Sequence, residues 1–323
     1  MENSPLTKHV VIAGGRGFLG QGLSWTLHKR GYAVTILSRS AAPAQGFPPG
    51  IKWRQWNART LGDWVGCLRG ATAVVNLVGR SVDCRKTEEN KRVILESRIN
   101  SCHALGEALR APEMSGAIPA VWIQAGTAHI VGDPEPRDTI CDESTPPGPL
   151  YEMAPSVGVA WELAFHKALL PNQRGVMLRI SFVLGPHGGA MSRLSRLTRW
   201  GFGGTVGRGD QWISWIHQHD LNRLIITAIE DPSYTGVYMT TAPQPVTNRQ
   251  FMQAMRRGYH RPWSPPAPGF AVRFACRFLL NSDPDLALLG RRCVPARLCD
   301  EQGFQFKYST IDDAIHACAQ GDV

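Results

Sequence analysis

The sequence lacks any run approaching the ~20 apolar residues that a membrane-spanning helix requires. Its first fifteen residues lack the charged-then-apolar order of a secretion signal; the short apolar stretch there leads directly into glycines. Cysteine occurs eight times, but never as Cys-x-x-Cys and never at metal-ligand spacing with histidine. That argues against a zinc module and a disulfide framework, and for a reduced, cytoplasmic chain without a metal. There is no internal repeat and no low-complexity tract. With 43% hydrophobic and 19% charged residues, the 323-residue chain is too apolar for a disordered polyampholyte and long enough for one large or two smaller domains. Acids are in deficit, 26 against 35 basic residues, for a net charge of +9. That balance suits an anionic partner such as a nucleotide, nucleic acid or membrane surface. The basic residues are dispersed, however, and the densest groups are pairs such as Arg256-Arg257 and Arg291-Arg292. No concentrated stripe of a dedicated DNA or RNA binder is present.

The first half alternates short apolar runs with helical periods. His9–Ala13 reads as a buried strand that stops at glycine, and residues 17–30 as a helix with Leu19, Leu23 and Leu27 on one face. Ala33–Leu37 and Lys52–Trp56 read as strands, as does 73–78. A long helix follows over 88–110, then strands at 121–124 and Gly175–Val183. Strands alternating with helices predict an α/β fold: a Rossmann-like, doubly wound parallel sheet covered on both faces. The rhythm changes after Gly185, where glycine-rich 201–204 and proline-rich 262–268 interrupt helical patterns at Asn248–Arg257 and Phe270–Leu280. The expected organisation is a nucleotide-binding domain over 7–185, with a return segment at about 214–242 that could add a strand at Gly236–Thr241. Residues 186–213 and 243–320 form a small mixed C-terminal lobe.

Gly14-Gly15-Arg16-Gly17-Phe18-Leu19-Gly20 follows the first strand and opens the first helix. Glycines at 14, 17 and 20 give GxxGxxG. Gly14 suits a tight turn, Gly17 lets backbone approach a pyrophosphate, and Gly20 lets the helix pack closely. The helix N-terminus adds amide donors and positive dipole. The second strand ends Leu37-Ser38-Arg39, with no acid to hold a ribose diol. A hydroxyl and a guanidinium suit a 2′-phosphate instead, so NADP(H) is expected over NAD(H). Arg16 could add a second positive charge or stack on adenine. Arg39 as an ordinary solvated residue is the plain alternative. Arg98 falls on the inward stripe of the long helix with Ile94, Ser101, Leu105 and Ala108. There it needs an anionic or carbonyl partner, either a cofactor or a core acid.

These residues resemble the extended short-chain dehydrogenase/reductase superfamily, and within it an atypical, sugar-epimerase-like branch with a C-terminal domain of unknown function. The likeness spans nearly the whole chain. It rests on the glycine loop, Leu37-Ser38-Arg39, Val75-Asn76-Leu77-Val78-Gly79, Glu96-Ser97-Arg98, Val183–Gly189, Trp212–His217, Val294-Pro295-Ala296-Arg297 and Gly303–Phe306. It implies a Rossmann domain with a small lobe over the cleft, NADPH, and cofactor contacts at Gly14, Arg16, Gly17, Phe18, Leu19, Gly20, Ser38, Arg39, Val78, Gly79 and Arg98. The superfamily often dimerises through helices flanking the sheet.

Superfamily chemistry uses a Ser or Thr, a Tyr, and a Lys four residues later, as general acid–base groups. Thr127, after Ala125-Gly126, matches the hydroxyl. Anchored on Trp161-Glu162, the tyrosine position falls at Ala154 and the lysine position at Gly158, and neither can move a proton. Tyr151 carries a hydroxyl but lies about one turn early, with Pro155 four residues on. Two readings follow. One is an NADP(H)-dependent oxidoreductase or epimerase-like protein acting on a small molecule, with Thr127 orienting the substrate and Tyr151 or an ordered water moving the proton. The other is a catalytically silent NADPH-binding sensor or scaffold read by a protein partner. His129, His187, His217 and His219 are further proton carriers to weigh, although His217 with Asp220 suits a structural element at a helix start, Asp220 capping the helix and His217 tying the lobe to the sheet. Trp200, Phe202, Trp212 and Trp215 could line a pocket or simply fill the core. Arg193, Arg196 and Arg199 suit a solvated helix face, and Cys84 has cationic neighbours that could lower its pKa.

Overall fold

Short apolar runs bounded by glycine become the centre of one sheet. In the computed structural model, residues 8–321 are described, apart from Ala42, Ala44, Arg277 and 279–282. Strands β1 (His9–Ala13), β2 (Ala33–Ser38), β3 (Lys52–Gln55), β4 (Ala73–Asn76) and β5 (Val121–Thr127) are joined by two helical crossovers. These are α1 (Phe18–Lys29) and α2 (Glu88–Arg110), the latter capped by Thr87, whose side chain accepts the Asn90 N–H. After the two-residue strand β6 (Ile140–Cys141) and helix α3 (Met153–Ala168), β7 (Arg174–Ile180) extends the sheet. All neighbours run parallel, in the order β7-β5-β4-β1-β2-β3. The central strands are buried on both faces, which is why they read as continuous Val/Ile/Ala runs rather than alternating ones. The edge strand β3, Lys-Trp-Arg-Gln, is mostly exposed, and its charges protect an otherwise open edge.

The register sets the geometry of the site. Ala13 stands opposite both Leu37 and Asn76, and Asn76 opposite Gln124. The strands therefore end nearly flush, and the order reverses direction at β1, where a crevice opens. β5 continues three residues past Gln124, carrying Thr127 beyond the floor of that crevice.

The sequence pattern suggested one strand over Gly175–Val183. The structure divides it at Ser181, whose N–H and hydroxyl both donate to the Thr240 carbonyl, at 3.1 and 3.0 Å. The chain then leaves the main sheet as β8 (Phe182–Leu184). Helix α4 (Met191–Arg199) and β9 (Trp212–Ile213) follow, and β10 (Trp215–His217) pairs with β8. Helix α5 (Gln218–Glu230) returns to the main sheet, where β11 (Gly236–Thr240) adds outside β7 as the seventh parallel strand. Beyond it, β12 (Val246–Thr247) pairs with β9, and the Thr247/Gln250 capping box starts α6 (Asn248–Gly258). The helical pattern at 270–280 is α7 (Gly269–Ala275); its later part includes positions outside the described residues. Then come α8 (Asp285–Leu288), β13 (Arg292–Cys293), which pairs with β6, α9 (Ala296–Asp300) and α10 (Ile311–Gln320).

Three buried clusters result, the smallest of them around Ile130, Cys141, Met239 and Cys293. The largest lies between the sheet and its helices. Trp122, fully buried, meets Phe165 edge-on at 5.3 Å between ring centroids, an arrangement that adds to area burial. The second gathers Leu184, Met191, Trp215, Phe251, Met255 and Ile315 under α6 and α10. All eight cysteines are free, and among the described residues no helix is long and apolar enough to cross a membrane.

Candidate functional site

The loop between β1 and α1 is held by backbone alone. Gly14 N–H donates to Leu37 O (3.2 Å), Gly17 N–H to Gly14 O (3.1 Å) and Gln21 N–H to Gly17 O (2.9 Å). Gly14 sits at φ +77°, and a Cβ there would come within 2.9 Å of the Leu77 carbonyl carbon, so this position requires glycine twice over. Gly20 is different: its Cβ would lie 2.4 Å from Gly15 Cα, so it closes α1 onto the loop. At exposed Gly17 a Cβ would meet only Gly14 O, at 3.5 Å. Protein packing does not require glycine there, which leaves the face open to a ligand phosphate at the helix N-terminus.

Phe18 and Leu19 pack against the protein itself. Leu19 packs on the main core. The Phe18 ring fills a hollow made by three glycines: Cβ atoms at Gly185 and Gly188 would stand 2.7 and 2.4 Å from it. Gln218 Nε2 donates to Phe18 O at 3.1 Å. The N-terminal turn of α1 is thus pinned to the segment that leads into the second core. Gly185, Gly188 and Gly189 stood out in the sequence, but their partner did not.

The crevice floor is a buried polar network that sequence reading missed. Asn76 Nδ2 donates to Ser101 Oγ (3.1 Å) and Gln124 Oε1 (3.0 Å), Trp122 Nε1 to the same Gln124 oxygen (3.1 Å), and Asn76 Oδ1 accepts the Val78 N–H (3.1 Å). This last bond orients Val78 and Gly79 as they leave β4. Over Gly79 lies Arg98, 3.3 Å from where a Cβ would be. Among the described residues Arg98 forms no ion pair with a core acid; its Nη1 donates to the carbonyls of Ile94 (2.8 Å) and Arg80 (3.2 Å), and its guanidinium lies over Trp161 at 4.8 Å. Burial pulls its pKa down to about 10, so it stays cationic at neutral pH.

At the other end of the crevice, Arg39, Trp56, Asn57, Thr60, Asp63 and Trp64 line an open cavity of about 420 Å³. Arg39 is exposed and pairs with no acid among the described residues. Ser38 is buried, and its Oγ accepts the Ser40 N–H at 3.2 Å. Arg16 is exposed at the loop tip. Arg39 and Arg16 bring positive charge to this side, and Asp63 is the one carboxylate in the cavity wall.

On the opposite side, Thr127 Oγ1 accepts the His129 N–H at 3.1 Å and keeps its own proton to donate. Tyr151 is 89% exposed, in the turn before α3, with no hydrogen bond among the described residues; the structure does not bring it against Thr127. Gly158, at the position where a lysine would be expected, packs on the turn after β5: its Cβ would lie 2.9 Å from Ile130 Cβ. Helix α3 has closed into the space a lysine side chain would take. Its Glu162 pairs instead with Arg179, at 2.8 and 3.0 Å.

Burial, then the nearby Arg291 charge, holds the His129 pKa well below its usual value, so the ring is neutral. His187 is exposed. The capping role expected of Asp220 falls to His217, whose Nδ1 accepts the His219 N–H (3.2 Å) at the start of α5 and whose ring lies tilted against Tyr308 at 4.1 Å. Buried Asp220 accepts the N–H groups of Lys307 and Tyr308, both at 2.9 Å, and thus fastens the C-terminal segment to α5. Trp215 is core, Trp212 lies under Arg292 at 4.5 Å, and Trp200 and Phe202 are exposed. Arg193 pairs with Asp83, and Arg199 stacks on Tyr259. The Cys84 thiol leans on Ser81 O at 3.8 Å. Among the described residues no cluster of three or more His, Cys, Asp or Glu is placed to hold a metal ion.

Comparison with known proteins follows the same outline. The NAD dependent epimerase/dehydratase family matches residues 10–238, and a domain of unknown function, DUF1731, matches residues 267–318. Epimerase family protein SDR39U1 homolog, chloroplastic, from Arabidopsis thaliana is 33% identical over 311 residues, covering 96% of this chain and 86% of that protein. Epimerase family protein YfhF from Bacillus subtilis is 31% identical, with 95% and 96% covered. The crystal structure of human epimerase family protein SDR39U1 (isoform2) with NADPH is 28% identical and superposes with a TM-score of 0.82, over 97% of this chain and 99% of that one. Thermus thermophilus UDP-glucose 4-epimerase, at 17% identity and TM-score 0.72, shares the fold. With glycine loop, sheet order and sequence match in agreement, this chain belongs to the NAD dependent epimerase/dehydratase family.

Proposed function

We propose that this chain binds NADP(H) and acts as an oxidoreductase or epimerase-like protein on a small molecule. The observation that carries the reading is the pairing of a phosphate-ready loop, open at Gly17, with an exposed Arg39 that forms no ion pair among the described residues, on a cavity of about 420 Å³ whose one acid, Asp63, lies beyond β3 and not at the end of β2. The human relative, SDR39U1, crystallised with NADPH, supports the same cofactor. Backbone N–H groups of residues 14–20 would hold the pyrophosphate. Arg39, with Arg16 nearby in the loop, would hold the 2′-phosphate, and Val78, Gly79 and Arg98 would line the nicotinamide ribose side. The bound dinucleotide would supply hydride chemistry. Residues 186–213 and 243–320 would form the substrate lobe, and the free cysteines fit a reducing cytoplasm.

On the substrate side, Thr127 offers its hydroxyl proton to a substrate oxygen at the end of β5. The exposure of Tyr151 favours an ordered water over that phenol as the proton carrier. The contact of Gly158 with Ile130 supports a second reading, a silent NADPH-binding sensor or scaffold, because α3 has no room for the lysine that would activate a tyrosine. Calorimetric titration with NADPH, NADP⁺ and NADH, repeated on Arg39→Ala, tests the cofactor. Micromolar NADPH binding with much weaker NADH, and loss of that preference in the variant, is the expected result. No binding of any nucleotide would overturn it. An NADPH-oxidation screen on wild type, Thr127→Val and Tyr151→Phe then separates the readings: turnover lost in Thr127→Val and kept in Tyr151→Phe supports catalysis by way of water.

A further inference from the structure

We infer that Arg291 is the anion-recognition residue of the substrate compartment, and that the small molecule served by this site carries an oxyanion, a carboxylate or a phosphate ester. The inference rests on the cofactor reading above, because it places the anion beside Thr127.

Arg291 is only 8% exposed. Its backbone is fixed on both sides: its N–H donates to Trp212 O (3.1 Å), its carbonyl accepts from Ser214 Oγ (2.8 Å), and the preceding Gly290 N–H donates to Asp133 Oδ1 (2.9 Å). Its guanidinium is not fixed. Nε is buried without a hydrogen-bond partner, and the group makes no ion pair among the described residues. The other interior arginines differ. Arg179 is paired with Glu162, Arg174 with the carbonyls of Ala228 and Tyr234, and Arg98 with two carbonyls and Trp161. A buried guanidinium whose Nε has no acceptor, and on which Asp133 and Glu152 act without a hydrogen bond or ion-pair contact, is incompletely compensated. A planar fork of donors is what a carboxylate or phosphate oxygen pair fits.

Its neighbourhood gives the location. The titratable groups within electrostatic reach are His129, Asp133, Glu152, Cys141 and Cys293. His129 is hydrogen-bonded through its N–H to Thr127 Oγ1, and Glu152 immediately precedes α3, with Oε2 against Gly132. Arg291 therefore belongs to the cluster at the C-terminal end of β5. Asp133 and Glu152 limit how much further negative charge the compartment accepts, which favours a single oxyanion over a polyphosphate.

The test uses protein saturated with NADPH, so that the cofactor's own phosphate sites are filled, and titrates in inorganic phosphate or sodium acetate by calorimetry. Wild type is expected to bind at least one of the two, and which one distinguishes a phosphate from a carboxylate ligand. Arg291→Met should weaken that binding by about tenfold or more, with NADPH affinity unchanged. Arg291→Lys, which keeps the charge beside Asp133 and Glu152 but loses the planar fork, should weaken anion binding as well. No anion binding by NADPH-saturated wild type, or equal binding by Arg291→Met, would overturn the assignment. If NADPH binds neither protein, the cofactor reading fails on its own; the difference in anion binding between cofactor-free wild type and Arg291→Met still decides the role of Arg291.

Discussion

Two glycines three residues apart should respond to the same methyl group in opposite ways. In Gly20→Ala the new Cβ would lie 2.4 Å from Gly15 Cα and 2.7 Å from its carbonyl carbon and oxygen. Those are backbone atoms and cannot rotate aside, while carbon atoms prefer ~3.5–4.0 Å. Helix α1 must back away by roughly 1 Å, and overpacking of this kind costs about 1–3 kcal/mol. In Gly17→Ala the Cβ would meet only Gly14 O, at 3.5 Å, and the backbone at φ −72°, ψ 169° already suits alanine. Stability should change by less than ~1 kcal/mol, because reduced freedom of the unfolded chain offsets a poorer helix cap. Cofactor affinity should behave in the reverse sense. The methyl at residue 17 stands where a phosphate would approach, so NADPH binding should weaken by at least about tenfold, or ~1.4 kcal/mol. Urea denaturation for stability and calorimetry for binding separate the two effects. If Gly17→Ala keeps wild-type affinity, or loses as much stability as Gly20→Ala, the assignment of Gly17 as the open phosphate position is refuted.

Other outcomes follow from the buried groups. Burial, the largest effect on His217, outweighs the attraction of Asp220 and holds its pKa at about 4, against an ordinary 6.5. A histidine depressed in the folded state contributes stability above pH 6.5 that disappears as pH falls towards 4, worth roughly 3 kcal/mol. Urea midpoints measured across that window should fall steeply in wild type and less in His217→Gln; equal slopes would remove His217 as a source. Glu162→Gln strips the carboxylate from Arg179, both side chains being largely buried, and should cost about 3–5 kcal/mol in the same assay. A loss under ~1 kcal/mol would mean that water compensates Arg179.

The β1–loop–α1 unit was legible because every signal in it is local: an apolar run, three glycines at fixed spacing, leucines at helical period. Thr127 was legible for the same reason, standing at the end of an apolar strand. The break at Ser181 was not, since Val176–Leu184 is almost continuously apolar and only the distant Thr240 and β10 decide where the chain leaves the sheet. The Asn76–Ser101–Gln124 network joins three elements far apart in sequence, and each residue alone looks like an ordinary polar position. The tyrosine and lysine positions could be read as empty from sequence, but the reason the lysine cannot return, the contact of Gly158 with Ile130, required the packing. Arg291 read as half of a short basic pair, and only burial without a partner distinguished it.

The Phe18 plug makes the phosphate loop and the segment at 185–189 a single mechanical joint. A ligand that orders the loop would therefore also restrain this segment, which leads from β8 to α4 and the second core. Any coupling the joint carries is reciprocal: a contact that restrains residues 185–189 would raise affinity at the loop by the factor by which binding at the loop favours that contact.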